Sequence, residues 1–166
     1  LTLVGPGSST GQKIKVSALG YDQIYDNVTS IVATHTGADT TFISIAPNIT
    51  VPVPISAGVT VSGPNHFILG GGFATVQGGS NFDWIDAGPG GGTFYGGTGD
   101  SKVIDNYGNL TVQVSGYDSY TISDTSLRYQ TGTDAKTMTL GGAVGVGHVN
   151  LYGTNAAFTV APTWTH

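Results

Sequence analysis

Carboxylates are the first residues in this chain whose type and spacing could do chemistry. Asp83, Asp86, Asp100 and Asp105 fall in one short stretch with Lys102 among them. Enzymes that cut or epimerise polysaccharides place pairs of acids, or an acid with a cation, around a sugar linkage. Tight turns ask for the same residue, because a short acceptor side chain closes on nearby backbone N–H groups, and turn chemistry accounts for most of these aspartates. Trp84, two places before Asp86, offers an aromatic face to a sugar ring or to a cation, and Asp86 offers an acceptor to hydroxyls. The other signatures are weak. GSSTG, Gly7 to Gly11, has the spelling of a nucleophile elbow, but GQKIKVSALG follows instead of a helix. His35, His66, His148 and His166 show neither HExxH nor a short metal-ligand spacing. The NxT sequons at Asn27, Asn48 and Asn109 matter only in a glycosylating host.

The elements that must position these residues are strands and turns. The 166 residues are 39% hydrophobic with a mean hydropathy of +0.08, enough for the core of one domain. All ten acidic residues are Asp, Gly reaches 27 and Thr 23, and the good helix formers are scarce, which excludes a helical bundle. No apolar run approaches the length of a membrane-spanning helix. A net charge of −5, with five scattered basic residues, argues against nucleic-acid and anionic-membrane partners and leaves cations, sugars and water. The absence of cysteine removes disulfides and thiolate sites together. Beginning at Leu1 with no leader-like segment, the chain reads as an excised domain or a processed product.

A period of nine runs through the middle of the chain. Residues 60 to 113 divide without a gap into TVSGPNHFI, LGGGFATVQ, GGSNFDWID, AGPGGGTFY, GGTGDSKVI and DNYGNLTVQ. The eighth place is always apolar: Phe67, Val76, Ile85, Phe94, Val103 and Val112. The fourth is Gly63, Gly72, Asn81, Gly90, Gly99 and Gly108, the residues that most easily take positive φ. Each unit therefore reads as a tight turn followed by a short strand whose middle side chain points inward.

These units resemble the G-G-x-G-x-D-x-U-x nonapeptide of the RTX, or haemolysin-type, parallel β-roll. GGSNFDWID keeps Gly78, Gly79, Asp83 and Ile85, and GGTGDSKVI keeps Gly96, Gly97, Gly99 and Val103. The resemblance implies that two units make one coil, so that alternate units stack and residues eighteen apart form columns. It also implies calcium, held between stacked turns by sixth-place Asp side chains and turn carbonyls. The sixth places are Asn65, Asp83 and Ser101 on one edge and Ala74, Gly92 and Leu110 on the other. At most the first edge binds Ca²⁺, with Asp83 as its one carboxylate; the alternative is that Asn and Ser hydrogen bonds close those turns without metal. The seventh and ninth places give one face with Thr75, Thr93 and Thr111 beside Gln77, Tyr95 and Gln113, expected to be ordinary solvated β-surface. The other face carries His66, Trp84 and Lys102 beside Ile68, Asp86 and Ile104, and is the candidate ligand-binding patch; the alternative is a cation–π pair and a salt bridge that stabilise neighbouring coils, or a patch buried under a flank.

The flanks are less regular. Within residues 1–59, KIKVSA, TTFISIA and ITVPVPI read as strands, and DQIYDNVTSIV, with Ile24, Tyr25, Val28, Ile31 and Val32 at helical spacing, as a short capping helix. In residues 114–166 the period breaks, yet YTISDTSL, KTMTLGG, VGVGHVNLYG and AAFTVAP still read as short strands, similar to linker coils between β-roll stretches in secreted bacterial repeat proteins. The expectation is one all-β domain over 1–166, a parallel β-roll or β-solenoid with capping flanks. Its expected role is that of a secreted or cell-surface structural or adhesive module that self-associates or holds polysaccharide. A polysaccharide-active enzyme or its targeting module, and a phage-tail or ice-binding solenoid, stay open as alternatives. Two convergent Asp in a deep cleft would favour the enzyme, and uncovered strand edges would favour assembly.

Overall fold

The computed structural model describes residues 1–7, 9–34, 39–56, 64–142, 146–162 and 164. Ser8, His35, the start of the first nonapeptide with Gly63, and His166 lie outside the described residues. Every element among the described residues is a strand.

The chain opens with β1 (Thr2–Pro6), β2 (Gln12–Ala18) and β3 (Tyr21–Val28), a three-stranded antiparallel sheet. GSSTG is simply the link between β1 and β2, closed by Gly7 N–H donating to the Gly11 carbonyl at 2.8 Å, so no strand-to-helix elbow exists there. The helix expected over DQIYDNVTSIV is a strand for most of its length. Leu19 and Gly20, with φ of 52° and 81°, form a two-residue turn with both residues left-handed, the geometry that feeds one strand into an antiparallel neighbour. Ser17 Oγ and Lys15 Nζ then reach Asp22 across the pair at 2.6 and 3.3 Å. The turn and the β-branched content outweigh a helical spacing that no buried face rewards: Ile24 and Tyr25 are both half exposed.

Two further sheets make the body. After β4 (Ala33–Thr34), β5 (Thr41–Ser44) and β6 (Val53–Ser56), the nonapeptides supply β7 (Asn65–Ile68), β8 (Ala74–Gln77), β9 (Asp83–Asp86), β10 (Gly92–Tyr95), β11 (Ser101–Ile104) and β12 (Leu110–Ser115). Alternate strands pair in parallel. Asn65, Asp83 and Ser101 stand in register on β7, β9 and β11, and Ala74, Gly92 and Leu110 on β8, β10 and β12. The columns of eighteen therefore exist. All six eighth-place residues are 1% exposed or less and belong to one buried cluster, as period-two alternation requires. Small residues at the turns answer to close approach more than to φ. Gly72 and Gly99 have no positive φ, but a Cβ on either would come within 1.8 Å of the Val51 carbonyl oxygen and 2.2 Å of that of Asn81, whereas Gly108 does take a φ of 68°.

The flanks extend both sheets. β5 adds to β7, β6 to β8 and β4 to β6, all parallel, while Ile49, Val51, Val53 and Ile55 alternate into the core. Past β12 the chain runs through β13 (Ser119–Ser123), β14 (Ser126–Thr131) and β15 (Asp134–Gly141) as an antiparallel meander; β15 then pairs in parallel with β11. β16 (His148–Tyr152) returns to β12, and β17 (Ala157–Val160) lies beyond β13. One sheet thus has the order β16-β12-β10-β8-β6-β4 and the other β17-β13-β14-β15-β11-β9-β7-β5.

Candidate functional site

Successive strands bring the outward patch together. Strand register sets His66, Trp84 and Lys102 side by side on β7, β9 and β11, and Phe42 on β5 extends the row. The His66 ring stacks on the indole of Trp84 at 4.4 Å between centroids and 18° between planes, and Phe42 meets His66 edge-on at 5.3 Å. From the β11 side, Lys102 Nζ sits over the Trp84 ring, 4.1 Å from its centroid. Asp86 binds the row from the next column. Its Oδ1 accepts from Trp84 Nε1 at 2.8 Å and its Oδ2 contacts His66 Nε2 at 2.7 Å, a contact in which an ionised carboxylate requires the imidazole nitrogen to donate.

The four predicted patch residues are therefore together, but they are engaged with one another. The sugar-stacking expectation for Trp84 meets an indole flanked by an imidazole on one side and an ammonium on the other, and the acceptor expected of Asp86 has both oxygens committed. Phe42, 62% exposed, is the open end of the row. The sequence carried no signal for it, because β5 lies outside the nonapeptide period. On the opposite face, Thr75, Thr93 and Thr111 align in register as expected.

The inner edge is a second cluster. Asn65, Asp83 and Ser101 are each 1% exposed or less. Asp83 Oδ1 accepts from Asn65 Nδ2 at 2.9 Å and Oδ2 from Gly79 N–H at 2.8 Å. Burial pushes the Asp83 carboxyl above its usual range, against those two hydrogen bonds, which favour the charged form. Asn65 Oδ1 and Ser101 Oγ are buried with no hydrogen-bond partner among the described residues. Calcium takes six to eight oxygen ligands. Here Asn65 presents its NH₂ to the lone carboxylate, so a cation between the two would face N–H groups. The residues present do not fit the calcium clasp that the nonapeptide implies.

Asp105 closes a turn of the other edge, the turn role expected of most of these aspartates. Its Oδ1 accepts from Tyr107 and Gly108 N–H and its Oδ2 from Leu110 N–H, each at 2.9 Å, and the residue is fully buried. Asp100 Oδ1 accepts from Thr137 N–H at 2.8 Å. No group of three or more His, Cys, Asp or Glu side chains among the described residues could hold a metal ion, and no helix among them is long and apolar enough to cross a membrane. No family model, curated protein or solved structure matches this chain.

Proposed function

We propose that this chain is a non-enzymatic structural or adhesive module of a secreted or cell-surface protein, built as a degenerate parallel β-roll with capping flanks, and that it self-associates. The observation that carries the reading is the engagement of the four aspartates that could have done acid–base work. Asp83 and Asp105 are fully buried and cannot touch a substrate; Asp86 is held by Trp84 and His66, and Asp100 by the Thr137 amide. A glycosidase pair instead needs two accessible carboxyls facing one bond. The roll reading is supported by the two parallel columns at a step of eighteen and by the inward eighth place.

Self-association is supported by β17, which forms the edge of its sheet with all four residues exposed, Phe158 and Val160 being 54% and 60% so. An uncovered apolar edge strand is a template for pairing with another chain. Sedimentation velocity over a concentration series tests this: the wild type is expected to associate, and Phe158→Asp or Val160→Asp to remain monomeric with an unchanged circular-dichroism spectrum. A glycan array screened in parallel is expected to show no retention. Retention lost on Trp84→Ala would make the patch a carbohydrate site instead, and polysaccharide turnover lost on Asp86→Asn would make the protein an enzyme.

A further inference from the structure

We propose that the edge where the resembled family seats calcium is closed here by a plug of the chain's own side chains, Asp83 with Asn65 and the hydroxyls of Tyr129 and Tyr117, and needs no cation. The inference rests on the β-roll reading only for where a cation would sit.

Asn65 Oδ1 and Ser101 Oγ are the sixth-place oxygens left without a partner among the described residues; three further groups that a cation at that edge would need are already engaged. The first is the carboxylate of Asp83, with one oxygen on the Asn65 amide and the other on Gly79 N–H. The second is the set of turn carbonyls. Gly79 O accepts from Thr98 N–H at 2.9 Å, Gly99 O from Tyr129 Oη at 3.0 Å, and Gly97 O from Tyr117 Oη in a longer contact of 3.4 Å. The third is the space beside the turns. Tyr129 is fully buried and meets the Tyr117 ring edge-on at 4.6 Å, so two phenols pack beside the 96–100 turn.

The topology explains how the tyrosines arrive. Tyr129 sits on β14 of the antiparallel meander, which docks beside β11 through β15, the strand that follows the Gly97–Gly99 turn being β11 itself. A neutral hydroxyl donor thus does for the turn carbonyls what a cation would do, without burying a second charge beside Asp83. Burial holds the Tyr129 phenol far above its usual range, so it is a donor at neutral pH.

Thermal unfolding of the full chain, followed by circular dichroism in excess EGTA and in millimolar CaCl₂, tests the plug. The two midpoints are expected to agree within about 1 °C, whereas a calcium site filled at about 100 times its Kd would raise the midpoint by about 5 °C or more. Tyr129→Phe is expected to lower the midpoint in both buffers by about 2–6 °C, through the carbonyl it leaves unpaired. Asp83→Asn, which keeps the shape of the clasp without its charge, is expected to fold in EGTA. Calcium that raises the wild-type midpoint but not that of Asp83→Asn overturns the proposal, as does Tyr129→Phe with an unmoved midpoint. If Tyr129→Phe fails to fold, the half-buried Tyr117→Phe reads the same hydroxyl effect, and no change in its midpoint counts against the plug. All midpoints are compared at one low protein concentration at which sedimentation shows monomer, because self-association would itself raise them, so the plug and the proposed function fail separately.

Discussion

Asp83 sets a pH dependence whose sign follows from its burial. Its folded carboxyl titrates above the usual carboxylate range of about 4 because desolvation outweighs the hydrogen bonds from Asn65 and Gly79. The stabilisation is therefore fully present below the unfolded value and is lost as pH rises through the folded one. Urea unfolding of the wild type and Asp83→Asn between pH 4 and 8 should show the wild type losing ground as pH rises from 4 and levelling off once the folded value is passed; a constant difference would contradict the buried charge. Asp105 is expected to matter more. Asp105→Ala leaves three turn N–H groups without their acceptor and should cost about 2–4 kcal/mol in the same measurement. In the outward row, Trp84→Ala removes an aromatic stack and a cation contact together, for about 1–3 kcal/mol of stability. Sequence made Asp83, Asn65 and Ser101 legible because the sixth place of a period is a fixed address. Asp105 sits at a first place and works through backbone donors of its own turn, a role its residue type suggested without identifying the three donors. Tyr117 and Tyr129 were beyond reach for another reason: they approach from a segment out of phase with the repeat.

Strands were legible wherever a period or an alternation was uninterrupted, and β5, β15, β16 and β17 fall inside or within two residues of the apolar runs. YTISDTSL, however, is split by the hairpin turn between β13 and β14, and β6 covers only the second half of ITVPVPI. The one element of the wrong type is β3, where five apolar residues at helical spacing coincide with a hairpin turn whose two left-handed residues the sequence ALGY did not announce. The glycines of the repeat carry the opposite lesson. Their regular spacing suggested special φ, but Gly72 and Gly99 are there because neighbouring turns pack backbone against backbone. Gly99→Ala must push the Asn81 carbonyl aside and should cost about 1–3 kcal/mol, whereas Gly132→Ala, at an open turn with φ of 57°, should cost about 1 kcal/mol through backbone strain alone. Thermal melts of the two variants would separate packing from conformation.

At the scale of the molecule, one buried cluster joins both large sheets, and Phe94, fully buried within it, is a sensitive probe. Phe94→Ala should cost about 3–5 kcal/mol, read as a fall in the denaturation midpoint at constant slope. The all-β class and the pairing step of eighteen were legible from the nonapeptides; the final sheet order was not, because the meander breaks sequence order. Partners within the repeat, such as Asn65 and Asp83, lie eighteen residues apart, while Asp100 and Thr137 meet across thirty-seven. That detour has a kinetic consequence. Strands of the nonapeptides pair across short loops, whereas pairing β15 with β11 or β16 with β12 closes a longer stretch of chain, which the β13–β14 hairpin shortens. The last third of the protein should therefore acquire protection from hydrogen exchange as one late step, with the amides of β13 to β15 appearing together after those of β7 to β11 in a pulse-labelled refolding experiment.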